Sequence, residues 1–120
     1  QAREYGNPIV MGAPNVVRGG SHNGAISAAE MISKDLCTVL ASDYYYPSQL
    51  LAALKLHREA DMPLGDAWSF VSRAPALAAG LDDRGEIAEG RRADVIVVGT
   101  RSDVPRVQAT LVAGRPVYRA

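Results

Sequence analysis

The fold of this chain is decided by residues 37–47, which read CTVLASDYYYP. Residues 37–42 form a short apolar run with few charges and a β-branched pair, and this pattern predicts a buried strand. The run ends at Asp43, which precedes three tyrosines and a proline. Barrel enzymes keep catalytic groups at the carboxyl ends of their strands, so Asp43 is a candidate catalytic residue. From position alone, a simple role in starting the turn into the next helix is an equally good interpretation.

Strands and helices alternate on the N-terminal side of this stretch. Residues 8–13 are apolar and are bounded by Pro and Gly, which predicts another buried strand. Residues 14–24 are rich in Gly and Asn and predict a long loop. A short helix is predicted for residues 26–34, with Ser27 as its N-cap because Glu30 follows three positions later.

Two helices are predicted on the C-terminal side. Residues 47–59 carry a stripe of leucines, and the proline at their start suits the first helical position. A second helix is predicted for residues 63–73, and Pro75 is expected to break it before a short turn at residues 76–79. Gly80 is then a natural C-terminal cap.

The last part of the chain has the pattern of antiparallel strands. Residues 93–99 are almost entirely apolar, and residues 106–113 alternate between apolar and polar side chains. Gly114 and Arg115 predict a tight turn into a closing strand at residues 116–119.

Residues 8–79 therefore follow the order strand, helix, strand, helix, helix, which is typical of a parallel α/β unit. A change of composition predicts a boundary near residues 80–85, dividing the chain into residues 1–80 and 81–120. Two parallel strands can neither form a sheet with both faces covered nor close a barrel, so their edges are expected to lie open. Either two chains complete each other as a homo-oligomer, or the sequence is a piece of a larger fold.

Charge and composition exclude several classes of function. The chain has 13 Lys and Arg residues against 13 Asp and Glu residues without a basic run, so neither nucleic acid nor a membrane is an expected partner. The single cysteine, Cys37, fits a reducing compartment and a structural rather than catalytic thiol. No apolar run has membrane-spanning length, and the N-terminus lacks a signal-peptide pattern. A cytoplasmic location is expected, and the absence of an initial Met suggests a start within a longer product.

A candidate phosphate-binding segment begins at Arg18 and reads RGGSH. Glycines expose backbone N–H groups, and the arginine offers a planar fork for phosphate oxygens. Ser21 and His22 add hydrogen-bond donors, while Tyr44 and Tyr45 are candidates to line the same site or to stack on a sugar. A loop held only by local turns is an equally good interpretation of the glycine pair.

Three stretches carry a resemblance to a known family. Residues 80–98, GLDDRGEIAEGRRADVIVV, resemble the stretch with which the amidohydrolase superfamily returns from its metal-dependent (β/α)8 barrel to a small β-sandwich, where Asp94 would start a buried strand. Residues 12–22, GAPNVVRGGSH, and residues 42–47, SDYYYP, are similar to the alkylphosphonate-utilisation diphosphatases of the carbon–phosphorus lyase pathway. The resemblance runs from Gly12 to the end of the chain. It implies an α/β fold, the C-terminal fragment of that barrel followed by strands of the small β-sandwich.

The resemblance also implies a function. Such an enzyme would cleave a phosphoanhydride of a ribosyl alkylphosphonate triphosphate and release pyrophosphate. Divalent metal ions, zinc or similar, would activate the attacking water in the full-length enzyme, and Asp43 matches the superfamily's aspartate that ligates a metal and accepts a proton. The phosphorylated substrate would be bound by Arg18, Ser21, His22, Tyr44 and Tyr45.

The sequence lacks the His-x-His pair that begins the superfamily's metal site. Its two histidines are His22 and His57, and the latter lies mid-helix, as a surface or packing residue would. One aspartate cannot hold a catalytic metal alone, so this chain by itself is expected to be inactive and without metal. Two alternatives stay open. One is a generic amidohydrolase fragment, from a cyclic amidase or a deaminase, and the other is a non-catalytic, self-associating module.

Overall fold

A computed structural model describes residues 4–19, 27–100 and 104–120 of the chain. Strands alternate with short helices in the first part, and the last part contains three strands. The elements are β1 Val10–Gly12, α1 Ala13–Arg18, α2 Ala28–Ser33, β2 Val39–Ala41, α3 Ser48–Glu59, α4 Leu64–Ser69, α5 Arg73–Ala78, β3 Val95–Gly99, β4 Arg106–Val112 and β5 Arg115–Arg119. None of the helices in these ranges combines the length and the apolar character needed to cross a bilayer.

The strands β1 and β2 pair in parallel, with Gly12 opposite Ala41. Thr38 ties the start of the pair together, because its hydroxyl accepts a hydrogen bond from the Ile9 N–H at 2.8 Å. Both predicted strands are confirmed, although each contains only three residues. Since the carboxyl ends of parallel strands meet at one edge, the residues that follow Gly12 and Ala41 lie side by side.

The predicted loop at residues 14–24 is wrong in its first part, because α1 follows β1 directly. Pro14 lies in the first turn of this helix, where its missing N–H is not needed. Val16 is buried against the rest of the core, so tertiary packing stabilises a six-residue helix that is too short to be stable alone. Gly19 ends the helix with a left-handed backbone, φ +79°. Residues 20–26 lie outside the described residues.

The helices α2 and α3 supply much of the remaining core. Ser27 caps α2 as predicted, by accepting a hydrogen bond from the Glu30 N–H at 3.1 Å. The predicted helix at residues 47–59 is confirmed as α3, which begins one residue later. The core draws on five elements and on Cys37, two positions before β2: Ala13, Val16, Ala28, Ile32, Cys37, Leu40, Ala52, Leu56 and Ala67. This packing fixes α1 and α3 against the parallel strands.

The predicted helix at residues 63–73 is wrong in extent, because it is divided into α4 and α5. The division lies at Ser72, whose φ of −129° and ψ of −80° are not helical. Pro75 does not break a helix; it lies in the first turn of α5, where proline is tolerated. Gly80 caps α5 as predicted, with φ +71° and a hydrogen bond of 2.8 Å from the next N–H back to the helix.

The outer edge of β2 is closed at its middle residue, contrary to the expectation that the strand edges lie open. The Leu40 N–H donates to the Phe70 carbonyl at 2.9 Å. The Leu40 carbonyl accepts a hydrogen bond from the side-chain amide of Gln49 at 3.4 Å. The end of α4 and the first turn of α3 therefore satisfy backbone groups that a further strand would otherwise pair with.

The strands β3, β4 and β5 form an antiparallel sheet in that order, as predicted. The hairpin turn lies at Ala113 and Gly114, one residue earlier than predicted, and both have the positive φ of a two-residue type I′ turn. The expectation of a buried strand after Asp94 is wrong for the described residues. Ile96 and Val97 are 39% and 46% exposed, because these residues supply no second layer over that part of the sheet.

One turn joins the helical part to the sheet. The Ser72 hydroxyl donates to the Gly85 carbonyl at 2.7 Å, and Arg73 pairs with Glu86 at 3.3 Å. Gly85 has φ +97°, and a Cβ there would lie 3.0 Å from the Cα of Arg73. A side chain at this position would therefore be strained and would collide with the backbone. The boundary near residues 80–85 stays a prediction.

Candidate functional site

The turn that carries Asp43 is held by Ser48, the first residue of α3. Ser48 is fully buried, and its hydroxyl lies 3.1 Å from the Ser42 carbonyl oxygen and within hydrogen-bond distance of that of Tyr45. The Tyr45 N–H also donates to the Ser42 carbonyl, at 3.2 Å. These bonds fix the backbone on both sides of Asp43, so its side chain leaves the end of β2 from a defined position.

The backbone conformation of Asp43 does not by itself identify a catalytic residue. Asp43 is left-handed with φ +55°, but Asp35 and Asp61 have nearly the same φ, +54° and +51°. Aspartate tolerates this conformation better than most residues, because its short polar side chain bonds locally in turns. Three aspartates of the described residues share this backbone conformation, so a catalytic role for Asp43 has to be judged from its surroundings.

The Asp43 carboxylate lies across the carboxyl ends of both parallel strands. A Cβ on Gly12 would lie 3.1 Å from Asp43 Oδ2, so the glycine at the end of β1 gives the carboxylate its space. Asp43 is exposed, and among residues 4–19, 27–100 and 104–120 it has no hydrogen-bond or ion-pair partner. Its two oxygens are therefore available to accept hydrogen bonds from a ligand or a water.

Arg18 and Tyr44, two of the predicted substrate-binding residues, meet at the same edge. The Arg18 guanidinium donates a hydrogen bond to the Tyr44 hydroxyl, and its Cζ lies 5.8 Å from the centroid of the Tyr44 ring. These contacts combine a hydrogen bond with a cation–π interaction, and they hold the end of α1 against the turn that contains Asp43. The fold thus brings together three of the predicted site residues.

Lys55 also lies at the end of α1, and the sequence gives no sign of this. The Nζ of Lys55, on α3, donates to the carbonyl of Val17 at 2.9 Å, although the two residues are 38 positions apart. A cation near the C-terminus of a helix is favoured by the helix dipole. Gly12 is equally hard to identify from sequence, because its role depends on the approach of Asp43 from another strand.

The other predicted site residues are less well defined. Tyr45 is 46% exposed, and its backbone belongs to the turn. Ser21 and His22 lie outside the described residues, so their roles stay predictions. The Nδ1 of His57 lies 2.8 Å from the Met62 carbonyl, which fits the packing interpretation of this histidine.

The described residues do not form a metal site by themselves. Among them, no group of three or more His, Cys, Asp and Glu side chains is placed to hold an ion. Asp43 offers one ligand, whereas a catalytic metal needs several. Cys37 is an unsuitable ligand and nucleophile, because it is buried and this burial raises the pKa of its thiol.

Comparison with known sequences extends over nearly the whole chain. The model of the amidohydrolase family matches residues 11–118. The chain is 37% identical over 119 residues to alpha-D-ribose 1-methylphosphonate 5-triphosphate diphosphatase of Escherichia coli strain K12, covering 98% of this chain and 32% of that protein. It is 44% identical over 59 residues to a dihydroorotase of Methanopyrus kandleri, covering 49% of this chain and 14% of that protein. The chain thus spans about a third or less of the length of these relatives.

A comparison of structures agrees at the level of the fold. An amidohydrolase from Thermotoga maritima MSB8 superposes with a TM-score of 0.62 at 18% identity, over 99% of this chain and 39% of that one. At this identity the likeness concerns the fold alone. Because the family model covers all but the first 10 and the last two residues, the sequence match is the stronger finding. This chain belongs to the amidohydrolase family.

Proposed function

We propose that this chain forms one part of the active site of a metal-dependent hydrolase, built on the last strands of a (β/α)8 barrel, in which Asp43 accepts a proton from the attacking water. The observation that carries the proposal is the position of the Asp43 carboxylate. It lies at the carboxyl ends of two parallel strands, against Gly12, and no described residue occupies its oxygens. A carboxylate within hydrogen-bond reach of a water can orient that water and take its proton.

A divalent ion such as zinc would need ligands from outside the described residues, since among these no group of three or more His, Cys, Asp and Glu side chains is placed to hold one. When bound, such an ion would lower the pKa of a water and make it a stronger nucleophile. What the described residues contribute is one carboxylate, held at a fixed position by the turn that Ser48 braces. The 120-residue chain alone is therefore expected to be inactive, and detectable diphosphatase activity from it would contradict this expectation.

The substrate proposed is a phosphorylated small molecule. Arg18 carries five N–H donors in a planar fork suited to phosphate oxygens, and Tyr44 holds that fork beside the Asp43 turn. Tyr44 and Tyr45 would border the substrate, and Ser21 and His22 would add donors from the neighbouring segment. The 37% identical relative is named for a ribosyl methylphosphonate triphosphate, which supports cleavage of a phosphoanhydride of such a compound with release of pyrophosphate.

A second candidate is hydrolysis of a cyclic amide, because the chain also resembles a dihydroorotase over about half its length. The match to the diphosphatase covers twice as much of this chain, 98% against 49%. A self-associating, non-catalytic module is the third candidate. A monomer in analytical ultracentrifugation would argue against it.

The test compares two aspartate variants of the full-length gene product. Asp43→Asn keeps the size of the side chain and suits a left-handed backbone, but it removes the proton-accepting oxygen. We expect kcat for pyrophosphate release from a ribosyl alkylphosphonate triphosphate to fall about 100-fold or more. Asp61→Asn is the matched control, since Asp61 has the same backbone conformation in another turn, and its activity should stay within about twofold of wild type.

Each result decides a different point. Full activity of Asp43→Asn would contradict the role of Asp43. A wild-type enzyme that opens a cyclic amide but leaves the triphosphate intact would favour the second candidate. Competitive inhibition by inorganic pyrophosphate would favour the phosphorylated substrate.

A further inference from the structure

The end of α1 is attached to α3 by a long-range hydrogen bond. Lys55 Nζ donates to the Val17 carbonyl at 2.9 Å, and a Cβ on Gly19 would lie 3.8 Å from the same nitrogen. Carbonyl groups in the last turn of a helix have no partner within the helix, so this bond supplies one. The positive charge of Lys55 also complements the negative end of the helix dipole.

The carbonyl that Lys55 holds belongs to the peptide unit that leads into Arg18. The C=O of Val17 and the N–H of Arg18 lie in one rigid plane, so holding the carbonyl also restrains the position of the Arg18 Cα, from which the side chain leaves the helix. Its guanidinium then reaches the hydroxyl and the ring of Tyr44. Tyr44 directly follows Asp43, and the contacts therefore run without a gap from Lys55 to the candidate catalytic turn.

Comparison with Lys34 shows that Lys55 is more than one partner of an exposed i,i+4 ion pair. Lys34 lies 2.6 Å from Glu30 on α2 and is 53% exposed. Lys55 has a similar partner one turn away, Glu59, at 3.7 Å, but it is 30% exposed and reaches a different helix. Lys34 is therefore a matched control for removing a lysine that has an i,i+4 acidic partner.

We propose that Lys55 is a positioning residue that aims Arg18 at the phosphate groups of the substrate, an inference that rests on the proposed function. Lys55 acts through the Val17–Arg18 peptide and not through contact with the substrate. Losing it lets the last turn of α1 fray, and Arg18 then spends less time in the orientation that the Tyr44 contacts define. Substrate binding weakens, whereas proton transfer at Asp43 does not.

The experiment measures KM and kcat of the full-length gene product for a ribosyl alkylphosphonate triphosphate, together with the Ki of inorganic pyrophosphate. Lys55→Met keeps the aliphatic stem and removes the donor, and we expect KM and Ki to rise about 10-fold while kcat stays within about twofold. Lys55→Arg retains a donor and should recover most of the loss. Lys34→Met should leave KM, Ki and kcat within about twofold of wild type.

A double-mutant cycle with Arg18→Gln separates positioning from direct contact. If Lys55 acts through Arg18, Lys55→Met adds less than about twofold to KM once Arg18 has been replaced. An undiminished effect in the Arg18→Gln background would overturn the proposal, because Lys55 would then act on the substrate by another route. The melting temperature shows whether Lys55→Met is folded. If it is not, Lys55→Gln replaces it in the same cycle.

Asp43→Asn, measured in parallel, distinguishes failure of this inference from failure of the proposed function. Full activity of Asp43→Asn would contradict the proposed function and, with it, this inference. If Asp43→Asn loses activity but Lys55→Met keeps the wild-type KM and Ki, only the role of Lys55 is contradicted.

Discussion

Asp43 follows β2 and Asp94 precedes β3, and the two carboxylates have opposite surroundings. Asp94 Oδ1 accepts hydrogen bonds from the Ala113 N–H at 2.8 Å and from Arg92 Nε at 2.9 Å. Its Oδ2 lies 3.3 Å from a guanidinium nitrogen of Arg84. Asp43 has no such partner in the described parts of the chain, and its Oδ2 would lie 3.1 Å from a Cβ on Gly12.

The difference separates two uses of an acid at a strand end. The pKa of Asp94 is lowered, first by the Ala113 N–H and then by Arg92, so the charged form stabilises the corner where β3 meets the β4–β5 turn. Its oxygens already have partners and are not free for chemistry. A strand-end position alone therefore does not identify a catalytic acid; a carboxylate without partners, beside an open backbone, is the more specific feature.

The largest effect is expected when each of the two aspartates is replaced by asparagine and the two variants are compared. Asp43→Asn should lower kcat/KM about 100-fold or more without changing the melting temperature. Asp94→Asn should lower the melting temperature by a few degrees and leave kcat/KM of the folded enzyme within about twofold. Parallel calorimetry and kinetics on the full-length gene product check both results. A drop in activity without loss of stability in Asp94→Asn would break the comparison.

The second effect concerns the turn beside Asp94. Gly85→Ala combines a left-handed backbone with a Cβ 2.9 Å from that of Ala76, whereas Gly90→Ala has a similar φ and nothing within 4 Å. We expect Gly90→Ala to cost about 1–2 kcal/mol and Gly85→Ala roughly 2 kcal/mol more, because overpacking adds to the backbone strain. Urea unfolding measures both, and equal costs would show that the collision relaxes without penalty.

The third effect is the pH dependence of stability. The pKa of Asp83 is lowered mainly by its hydrogen bond with Arg84, and that of Asp94 is lowered as described above. Folded-state pKa values below the unfolded ones give stability that is present above about pH 4 and is lost as pH falls through the folded values. The melting temperature should therefore fall less between neutral and acidic pH for Asp94→Asn than for wild type or Asp61→Asn. An equal fall in melting temperature for all three proteins would contradict this prediction.

The smallest effect is expected at Gly12. Its φ of −73° and ψ of 125° suit alanine, but the new Cβ would lie 3.1 Å from Asp43 Oδ2 and move the carboxylate by a few tenths of an ångström. We expect kcat to fall about two- to fivefold with unchanged stability. Gly65→Ala, where nothing lies within 4 Å, is the control and should leave kcat unchanged. An unchanged kcat in Gly12→Ala would mean that the position of Asp43 at this edge does not matter.

Some features of the molecule could be predicted from the sequence because they depend on residues close in the chain. The caps at Ser27 and Gly80 need only a few neighbouring backbone groups, and both are present. The strands around residues 37–42 and 106–113 follow from apolar runs and alternation. The family could also be identified, because its closing stretch is contiguous and its spacing is specific.

Other features were decided by the tertiary structure, because they depend on groups far apart in the chain. The helix α1 exists where a loop is predicted, since a buried apolar face outweighs a weak local preference. The carbonyl of Phe70 closes the edge of β2 from 30 positions away. The approach of Asp43 to Gly12 and the bond from Lys55 to Val17 likewise join separate elements. By itself the sequence determined most of the local elements and the candidate acid. Packing between elements decided what surrounds that acid, and a carboxylate's chemistry depends on its spatial neighbours.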